Sequence, residues 1–213
     1  MSYDFLPEPV LPQTFRLLAE WNGKPFRRAY YPCCHDHALP MEVLPSCSVV
    51  YLDIDPRPLE RLMSAGVDAV CADALAYILD PMADLLVLFN PAIPDVTSVL
   101  RSLAPGGTVL ANEWHGTATH LNEMSGVLEF AAAFVKEDNG RVSLNANPET
   151  LAEYLEQAND GVEFRKRNPM TYDYFKKPAT ENGYPDDVLG YLRNLGASTK
   201  RRPAAYYAFR KLA

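Results

Sequence analysis

The stretch "ADLLVLFNP", residues 83–91, holds a continuous apolar run, LLVLF, and ends in an asparagine and a proline. A strand that is buried on both faces has this pattern, whereas a strand with one solvated face alternates apolar and polar residues. Burial on both faces is typical of parallel sheets that carry helices on each side. The stretch therefore predicts a central strand of an α/β sheet.

The sequence on either side of this stretch alternates between strand and helix patterns. Strands are predicted over residues 28–33, 48–55, 67–73, 83–91 and 108–114. Helices are predicted over residues 58–66, ending at Gly66, and 95–107, with Asp95 as N-cap and Pro105-Gly106-Gly107 as the stop. This alternation predicts right-handed crossover units and a doubly wound, mostly parallel sheet.

After residue 114 the pattern changes. Helices are predicted over 119–137 and 147–158, the second with Asn147 as N-cap and Pro148 at its first position. The segments 162–167 and 204–212 have strand patterns and are expected to form a terminal antiparallel strand pair, with a short helix in the segment between them.

Domain organisation follows from length and pattern. A chain of 213 residues is long enough for one well-cored domain and short for two. We expect residues 1–26 to form an N-terminal arm with a helix near 12–20, and residues 27–213 to form a single α/β domain.

Composition favours a cytoplasmic location. There is no apolar run of about 18 residues, and the N-terminal "MSYDFLPEPVLPQ" lacks the basic region and apolar core of a secretory signal. The four cysteines show no regular spacing, so we expect reduced thiols without disulfides. A membrane partner is not expected.

Charge is distributed unevenly along the chain. Residues 1–160 hold 9 Lys/Arg and 22 Asp/Glu, a balance of −13, whereas residues 161–213 hold 11 and 5, a balance of +6. The acidic part argues against general nucleic-acid binding. The basic tail could contact an anionic substrate or a second copy of the chain, which leaves a homo-oligomer open, or it could be a solvated face.

Four short stretches carry a resemblance to a known family. They are "VVYLDIDP" (49–56), "VCADAL" (70–75), "LLVLFNPAIP" (85–94) and "LAPGGTVLANEW" (103–114). Over roughly residues 28–115 and the terminal strands, the chain resembles class I S-adenosylmethionine-dependent methyltransferases. The resemblance implies S-adenosylmethionine as cofactor and a ligand crevice at the carboxyl ends of the strands.

The resemblance assigns cofactor contacts to residues that follow the second and third strands. Asp53 matches the acid that accepts hydrogen bonds from the ribose hydroxyls, and Ile54 would pack against the adenine. Asp73 matches the acid that binds the adenine amino group, with Ala74 beside it. Asp55 is the alternative ribose ligand, and N-capping of the following helix is the alternative role for these acids.

The resemblance places the methyl acceptor near Asn90, Glu113 and His115. Family members that methylate bases or amides carry an Asn-Pro-Pro-aromatic motif, whereas this chain has Asn90-Pro91-Ala92-Ile93. The missing proline and aromatic residue argue against a base or amide substrate. A small-molecule acceptor is therefore expected.

The loop after the first strand departs most from the family. The family has a motif of the type acid-x-Gly-x-Gly-x-Gly there, and its glycines allow close backbone approach to the cofactor. In "YYPCCHDH" (30–37) the acid position falls on Tyr31 and the glycine positions on Cys33, His35 and His37. The resemblance implies that Tyr31, Cys33 and His35 flank the cofactor. Some methyltransferase-like proteins carry a Tyr-Pro-Gly loop after the first strand, and Tyr31-Pro32-Cys33 is similar to it.

The histidines leave two further functions open. His35 and His37 share a side if extended, and His115 and His120 follow the fifth strand, so the four histidines of the chain could line one crevice. Beside a methyltransferase, the alternatives are a methyltransferase-like binding protein that has lost the cofactor, and a metal-dependent enzyme that uses the histidines. No metal ligand set is assigned.

Overall fold

The computed structural model of the chain describes residues 10–35, 37–89, 91, 93, 95–112, 117–155 and 204–213. Its strands are β1 (Arg28–Pro32), β2 (Ser48–Asp53), β3 (Ala69–Cys71), β4 (Ala83–Leu88), β5 (Leu103–Ala111), β6 (Leu128–Lys136), β7 (Val142–Asn145) and β8 (Tyr206–Lys211). Its α-helices are α1 (Val10–Asn22), α2 (Pro56–Ser64), α3 (Thr97–Leu100), α4 (Thr117–Asn122) and α5 (Pro148–Leu151).

The described strands form one eight-stranded sheet in the order β3-β2-β1-β4-β5-β8-β6-β7. The strands β1 to β5 pair in parallel, whereas β8 runs antiparallel to β5 and β6, and β7 runs antiparallel to β6. Asp84, the polar residue inside the apolar stretch 83–91, accepts the backbone N–H groups of Arg27 and Arg28 and so aligns β4 with β1. The predicted doubly wound, mostly parallel α/β fold with antiparallel terminal strands is confirmed.

Two apolar cores cover the two faces of the sheet, because side chains alternate along each strand. One core, the α1 face, includes Phe15 and Leu18 of α1 with Tyr31 of β1. The other core, the α3 face, includes Val99 of α3 with Tyr30 of β1. Neighbouring tyrosines of β1 therefore lie on opposite faces of the sheet.

The helix predicted over residues 119–137 is wrong for its second half. The structure has the short helix α4 and then strand β6, which pairs with β8 on one side and β7 on the other. The register with β8 shifts between Phe130 and Ala132, so Leu128 and Phe130 lie on the α3 face whereas Ala132 and Phe134 lie on the α1 face. This change of face removes the regular alternation that identifies a strand.

The helix predicted over residues 95–107 is too long. The structure has only the four residues of α3, and β5 already begins at Leu103. The pairing of β5 with β4 shifts so that Ala83 aligns with Leu103 and Leu85 with Thr108. The Pro-Gly-Gly segment is therefore an irregularity inside a strand. Proline and glycine are common at such irregularities because they do not support regular strand pairing.

Some predicted element ends agree with the structure. Asn147 accepts the N–H of Glu149 as the N-cap of α5, with Pro148 at the first helical position, but α5 ends at Leu151, so the helix predicted over 147–158 is too long. Asp95 accepts the N–H of Thr97, although the N-cap position of α3 is Val96 rather than Asp95. Gly66 follows α2 with a φ of +78°. The strand predicted over 162–167 and the short helix after it lie outside the described residues.

The N-terminal helix is fastened to the sheet by more than its apolar side. The guanidinium of Arg210 in β8 lies 4.2 Å from the ring centre of Trp21 and donates to Asn22 and Thr108. This places α1 against the core of the sheet. No helix among the described residues combines the length and apolar character that a bilayer crossing would need.

Acid titration of Asp55 is expected to weaken the start of α2. Asp55 is the N-cap of α2, and the hydrogen bond from the Arg57 guanidinium lowers its pKa from 3.8 to about 2. A depressed folded pKa means that the stabilisation is complete above the ordinary pKa and is lost as pH falls through the folded pKa. The stability difference between the wild type and Asp55→Asn should therefore shrink between about pH 5 and pH 2. Urea denaturation across this range measures it, and a constant difference would contradict the prediction.

Candidate functional site

The candidate site lies where the carboxyl ends of β1, β2, β3 and β4 meet. In an open parallel sheet this edge is where ligands bind, because the loops that follow neighbouring strands diverge there. The described residues at this edge are those after β1 (33–35 and 37), after β2 (54 and 55), after β3 (72–75) and after β4 (89, 91 and 93).

The loop after β1 keeps a glycine-type backbone without glycine. Cys33 has a φ of +55° and His35 a φ of +52°, and both stand at predicted glycine positions. The left-handed conformation costs a residue with a Cβ about 1–2 kcal/mol. His37, at the third predicted glycine position, is not left-handed. Two of the three positions thus retain the conformation that the glycines would adopt.

Backbone hydrogen bonds hold the loop in this strained conformation. The N–H of Cys34 donates to the carbonyl of Leu52 at 3.2 Å, and the N–H of His37 donates to the carbonyl of Cys34 at 3.0 Å. The N–H of His35 donates to Oδ2 of Asp53 at 2.8 Å. Strain of this kind persists only where neighbouring contacts determine the conformation, and it is concentrated at ligand sites.

Asp53 and Asp55 have different environments. Asp55 caps α2 and pairs with the Arg57 side chain, so its carboxylate stabilises the start of the helix. Asp53 is half-buried, and its Oδ1 accepts the N–H of Asp55 at 3.0 Å while Oδ2 accepts His35. Since an ionised carboxylate has about four lone-pair positions, Asp53 retains acceptor capacity for a ligand.

The residues after β2 and β3 include an exposed apolar side chain, Ile54, and a carboxylate, Asp73. The side chain of Ile54 is 46% exposed, which is unusual for a large aliphatic residue at a strand end. Asp73 accepts the N–H of Leu75 at 3.0 Å and so caps a turn over residues 74–76, whereas the helix expected there is absent among the described residues. Ala74 is 4% exposed and packs in the α3 face.

Tyr31 lies in the core rather than at the surface of the loop. It is 2% exposed, and its hydroxyl lies 3.1 Å from Nδ1 of the exposed His37. Burial raises the pKa of Tyr31 well above 10, so the phenol stays protonated and can donate to the imidazole. Tyr31 also contacts Phe89 edge-on, with ring centres 5.8 Å apart. Its contribution to a ligand site would pass through His37.

The thiols are reduced, and two of them are not poised as nucleophiles. All four cysteines fall within the described residues, and none forms a disulfide. Burial raises the pKa of Cys34, and burial followed by the nearby Asp84 raises that of Cys47 to about 12. Because the thiolate is the reactive form, these two side chains are inert near neutral pH.

The predicted acceptor residues Asn90, Glu113 and His115 lie outside the described residues, so their roles stay predictions. His120 lies in α4 and is half-buried. Within the part of the chain that the structure describes, no three His, Cys, Asp or Glu side chains converge as metal ligands would.

One buried polar group at the site was not predicted. Tyr30 is 0% exposed on the α3 face, and its hydroxyl has no hydrogen-bond partner among the described residues. The sequence placed Tyr30 in the strand predicted over residues 28–33 and assigned it no role. The only signal for it was a polar-tipped aromatic residue at a strand position where an aliphatic residue would be ordinary.

Restoring glycine at the two left-handed positions is expected to stabilise the protein. The double replacement Cys33→Gly with His35→Gly removes two strained Cβ atoms, and glycine returns part of this gain as chain entropy. We expect the free energy of unfolding to rise by about 1 kcal/mol. His37→Gly is the matched control and should destabilise the protein, because His37 is not strained. Denaturant unfolding measures both, and a double variant less stable than the wild type would refute this account.

Comparison with known proteins identifies the fold. No protein-family model and no curated protein sequence matches the chain. Among solved structures, StiE O-MT over residues 961–1257 has a TM-score of 0.54 at 13% identity, covering 95% of this chain and 73% of that one. N-methyltransferase NodS from Bradyrhizobium japonicum, in complex with S-adenosyl-L-homocysteine, has a TM-score of 0.45 at 17% identity, covering 62% and 82%. The amino pentose methyltransferase CalS10 from Micromonospora echinaspora has a TM-score of 0.40 at 19% identity, covering 48% and 49%.

Of these three, the StiE likeness bears on the fold, and at 13% identity it bears on nothing further. The chain therefore has a class I methyltransferase-like fold.

Proposed function

We propose that this protein binds S-adenosylmethionine at the carboxyl ends of β1, β2 and β3 and transfers its methyl group to a small-molecule acceptor. The observation that carries the proposal is the loop after β1. Cys33 and His35 stay left-handed without glycine, and the amide of His35 is tied to Asp53. A loop that keeps a strained conformation next to Asp53, the acid assigned to the ribose hydroxyls, is expected where a ligand requires that shape.

The residues present fit an S-adenosyl ligand in three respects. Asp53 keeps lone pairs for the ribose hydroxyls after it accepts two backbone N–H groups. Ile54 offers an exposed apolar surface to a flat ring. Asp73 and Ala74 follow β3 at the same edge of the sheet, and Cys33 and His35 flank the remaining part of the ligand.

S-adenosylmethionine, when bound, supplies a methyl carbon that the adjacent sulfonium makes electrophilic. The protein would contribute mainly by aligning this carbon with the acceptor, since positioning supplies much of the rate in such transfers. Asn90, Glu113 and His115 are the residues that we propose to hold the acceptor and its proton. The acidic balance of residues 1–160 disfavours a phosphate-rich acceptor, which supports a small molecule over nucleic acid.

Calorimetric titration of the full chain tests the cofactor assignment. We expect saturable binding of S-adenosylmethionine and S-adenosylhomocysteine with a stoichiometry of about one per chain, and a dissociation constant in the micromolar range that is ordinary for a cofactor site. Adenosine triphosphate should bind far more weakly, because the acidic balance of residues 1–160 opposes its negative charge. No saturable heat with either S-adenosyl compound would contradict the proposal.

A second candidate function is a ligand-binding protein without methyl transfer. The amides of Cys34, His35 and His37 already have protein acceptors, so they are not available to a ligand carboxylate. Among the described residues between β1 and β2, the helical element is the 3-10 turn Met41–Val43, so no α-helix N-terminus follows the loop. This candidate, a binding protein that has lost the cofactor, predicts no saturable binding of S-adenosylhomocysteine and no turnover of labelled S-adenosylmethionine over a broad panel of small acceptors.

A further inference from the structure

Tyr30 carries a polar atom for which the described fold has no partner. Its side chain is fully buried in the α3 face, and its hydroxyl has no hydrogen-bond partner among the described residues. Burying a hydroxyl without a partner is costly, because the group gives up its hydrogen bonds to water. A native fold that retains such a group requires an explanation, and a ligand atom that completes the hydrogen bond is one.

The neighbours of Tyr30 come from segments at the candidate site. The ring of Tyr77, in the segment after β3, lies 6.0 Å from the ring of Tyr30, centre to centre. Cys33 and Cys34, in the strained loop after β1, are close enough to raise the pKa of Tyr30. Residues that follow β1 and β3 therefore lie near this side chain.

The hydroxyl keeps its hydrogen and can donate it, and its surroundings favour a neutral acceptor. Burial first, and then the nearby Cys33, Tyr77 and Cys34, raise the pKa of Tyr30, so the phenol stays protonated. The core in which it is buried is mostly aliphatic, and such surroundings disfavour an anion as acceptor. A ring nitrogen of a flat, uncharged heterocycle satisfies both conditions, because it accepts a hydrogen bond in the ring plane and buries apolar faces.

We propose that the Tyr30 hydroxyl donates a hydrogen bond to a ring nitrogen of the ligand's purine and so selects a nucleoside with a neutral nitrogen heterocycle. This rests on the proposed function, since the purine is that of the S-adenosyl ligand. Tyr30 becomes a binding residue that lies within β1, one position before Tyr31.

Tyr30→Phe tests the proposal through two readouts of opposite sign. Binding of S-adenosylhomocysteine, measured by calorimetry, should weaken by about 3- to 15-fold, the ordinary value of one hydrogen bond. The thermal midpoint of the unliganded variant should stay the same or rise, because the uncompensated hydroxyl is gone. A core residue without a ligand role would change stability and leave the affinity unchanged.

Ligand analogues and a matched variant sharpen the test. S-adenosylhomocysteine lacking N1, N3 or N7 of the purine (the three deaza analogues) removes one acceptor at a time. One of the three analogues should bind the wild type about as weakly as S-adenosylhomocysteine binds Tyr30→Phe. The Tyr30→Phe variant should bind that analogue and S-adenosylhomocysteine with equal affinity. Tyr206→Phe is the control: its hydroxyl is also buried without a partner among the described residues, but on the α1 face. It should not change the affinity.

The outcomes separate this inference from the function on which it rests. If the wild type binds S-adenosylhomocysteine and Tyr30→Phe binds it equally well, the inference is overturned and the proposed function stands. If the wild type does not bind the compound, both fail. If Tyr30→Phe does not fold, the analogues decide with the wild type alone, and equal affinity for all three would overturn the inference.

Discussion

Replacement of Asp53 by alanine is expected to weaken the binding of S-adenosylhomocysteine by about 10- to 100-fold. We propose that this carboxylate accepts the two ribose hydroxyls, and hydrogen bonds to a charged group contribute about 1.5–3 kcal/mol. The same change removes the acceptor of the His35 N–H, which holds the strained loop. Both effects act in the same direction on affinity. Calorimetry with the folded variant, checked by its thermal unfolding, measures the loss.

Asp55→Ala is the matched control for this prediction. Asp55 lies two positions away and is also acidic, but it caps α2 and pairs with Arg57. Its loss should lower stability by about 1 kcal/mol, the ordinary value of an N-cap, and leave the affinity within about twofold. If the two variants weakened binding equally, the ribose role of Asp53 would be refuted. Asp53→Asn, which keeps one oxygen acceptor for the loop, should bind more tightly than Asp53→Ala.

The parallel half of the fold could be predicted from local sequence because its strands β1, β2 and β4 are mostly buried on both faces. Strands such as β4 are uniform apolar runs, and α2 has a capping acid and a terminal glycine that mark its ends. The antiparallel half could not be predicted in the same way. The change of face within β6 and the Pro-Gly-Gly irregularity within β5 interrupt the alternation from which strands are identified.

The candidate site could be located from the sequence but not described from it. Strand ends place Cys33, His35 and Asp53 at one edge of the sheet, and a left-handed φ is the conformation that the family's glycines imply. That Cys33 and His35 adopt it in spite of their Cβ atoms depends on hydrogen bonds to Leu52 and Asp53, which belong to another strand. Local propensity disfavours this conformation, so only tertiary contacts could establish it.

These contacts also connect the two open functions. The hydrogen bonds that keep the loop left-handed use the amides of Cys34 and His35, which a ligand carboxylate would otherwise need. The loop is thus shaped for the nucleoside part of a ligand and less suited to an amino-acid tail. A comparison of the affinities for S-adenosylhomocysteine and for 5′-methylthioadenosine, which lacks that tail, would show how much of the binding free energy comes from the nucleoside and how much from the tail.

Gly107→Ala is expected to lower the free energy of unfolding by about 1–3 kcal/mol, the cost of forcing an extra methyl group into a packed region. A Cβ at this position would lie 2.6 Å from Cδ1 of Leu103 and 2.8 Å from the carbonyl oxygen of Ala104. Leu103 is fully buried, so it has no room to move aside, and the second atom belongs to the backbone. The strand must therefore shift where β5 changes its register with β4.

Gly126→Ala separates this steric effect from the general effect of replacing glycine. A Cβ at Gly126 would meet nothing within 4 Å, and its backbone is not left-handed. Alanine there should be neutral or stabilising by up to about 1 kcal/mol, because it reduces the entropy of the unfolded chain. Urea unfolding of both variants measures the difference, and equal stabilities would show that β5 accommodates the methyl group.

Because residues 113–115 follow β5 closely in the sequence, a shifted register in Gly107→Ala should also displace the proposed acceptor residues. Methyl transfer should then fall more than binding of S-adenosylhomocysteine, whose proposed contacts follow β1, β2 and β3.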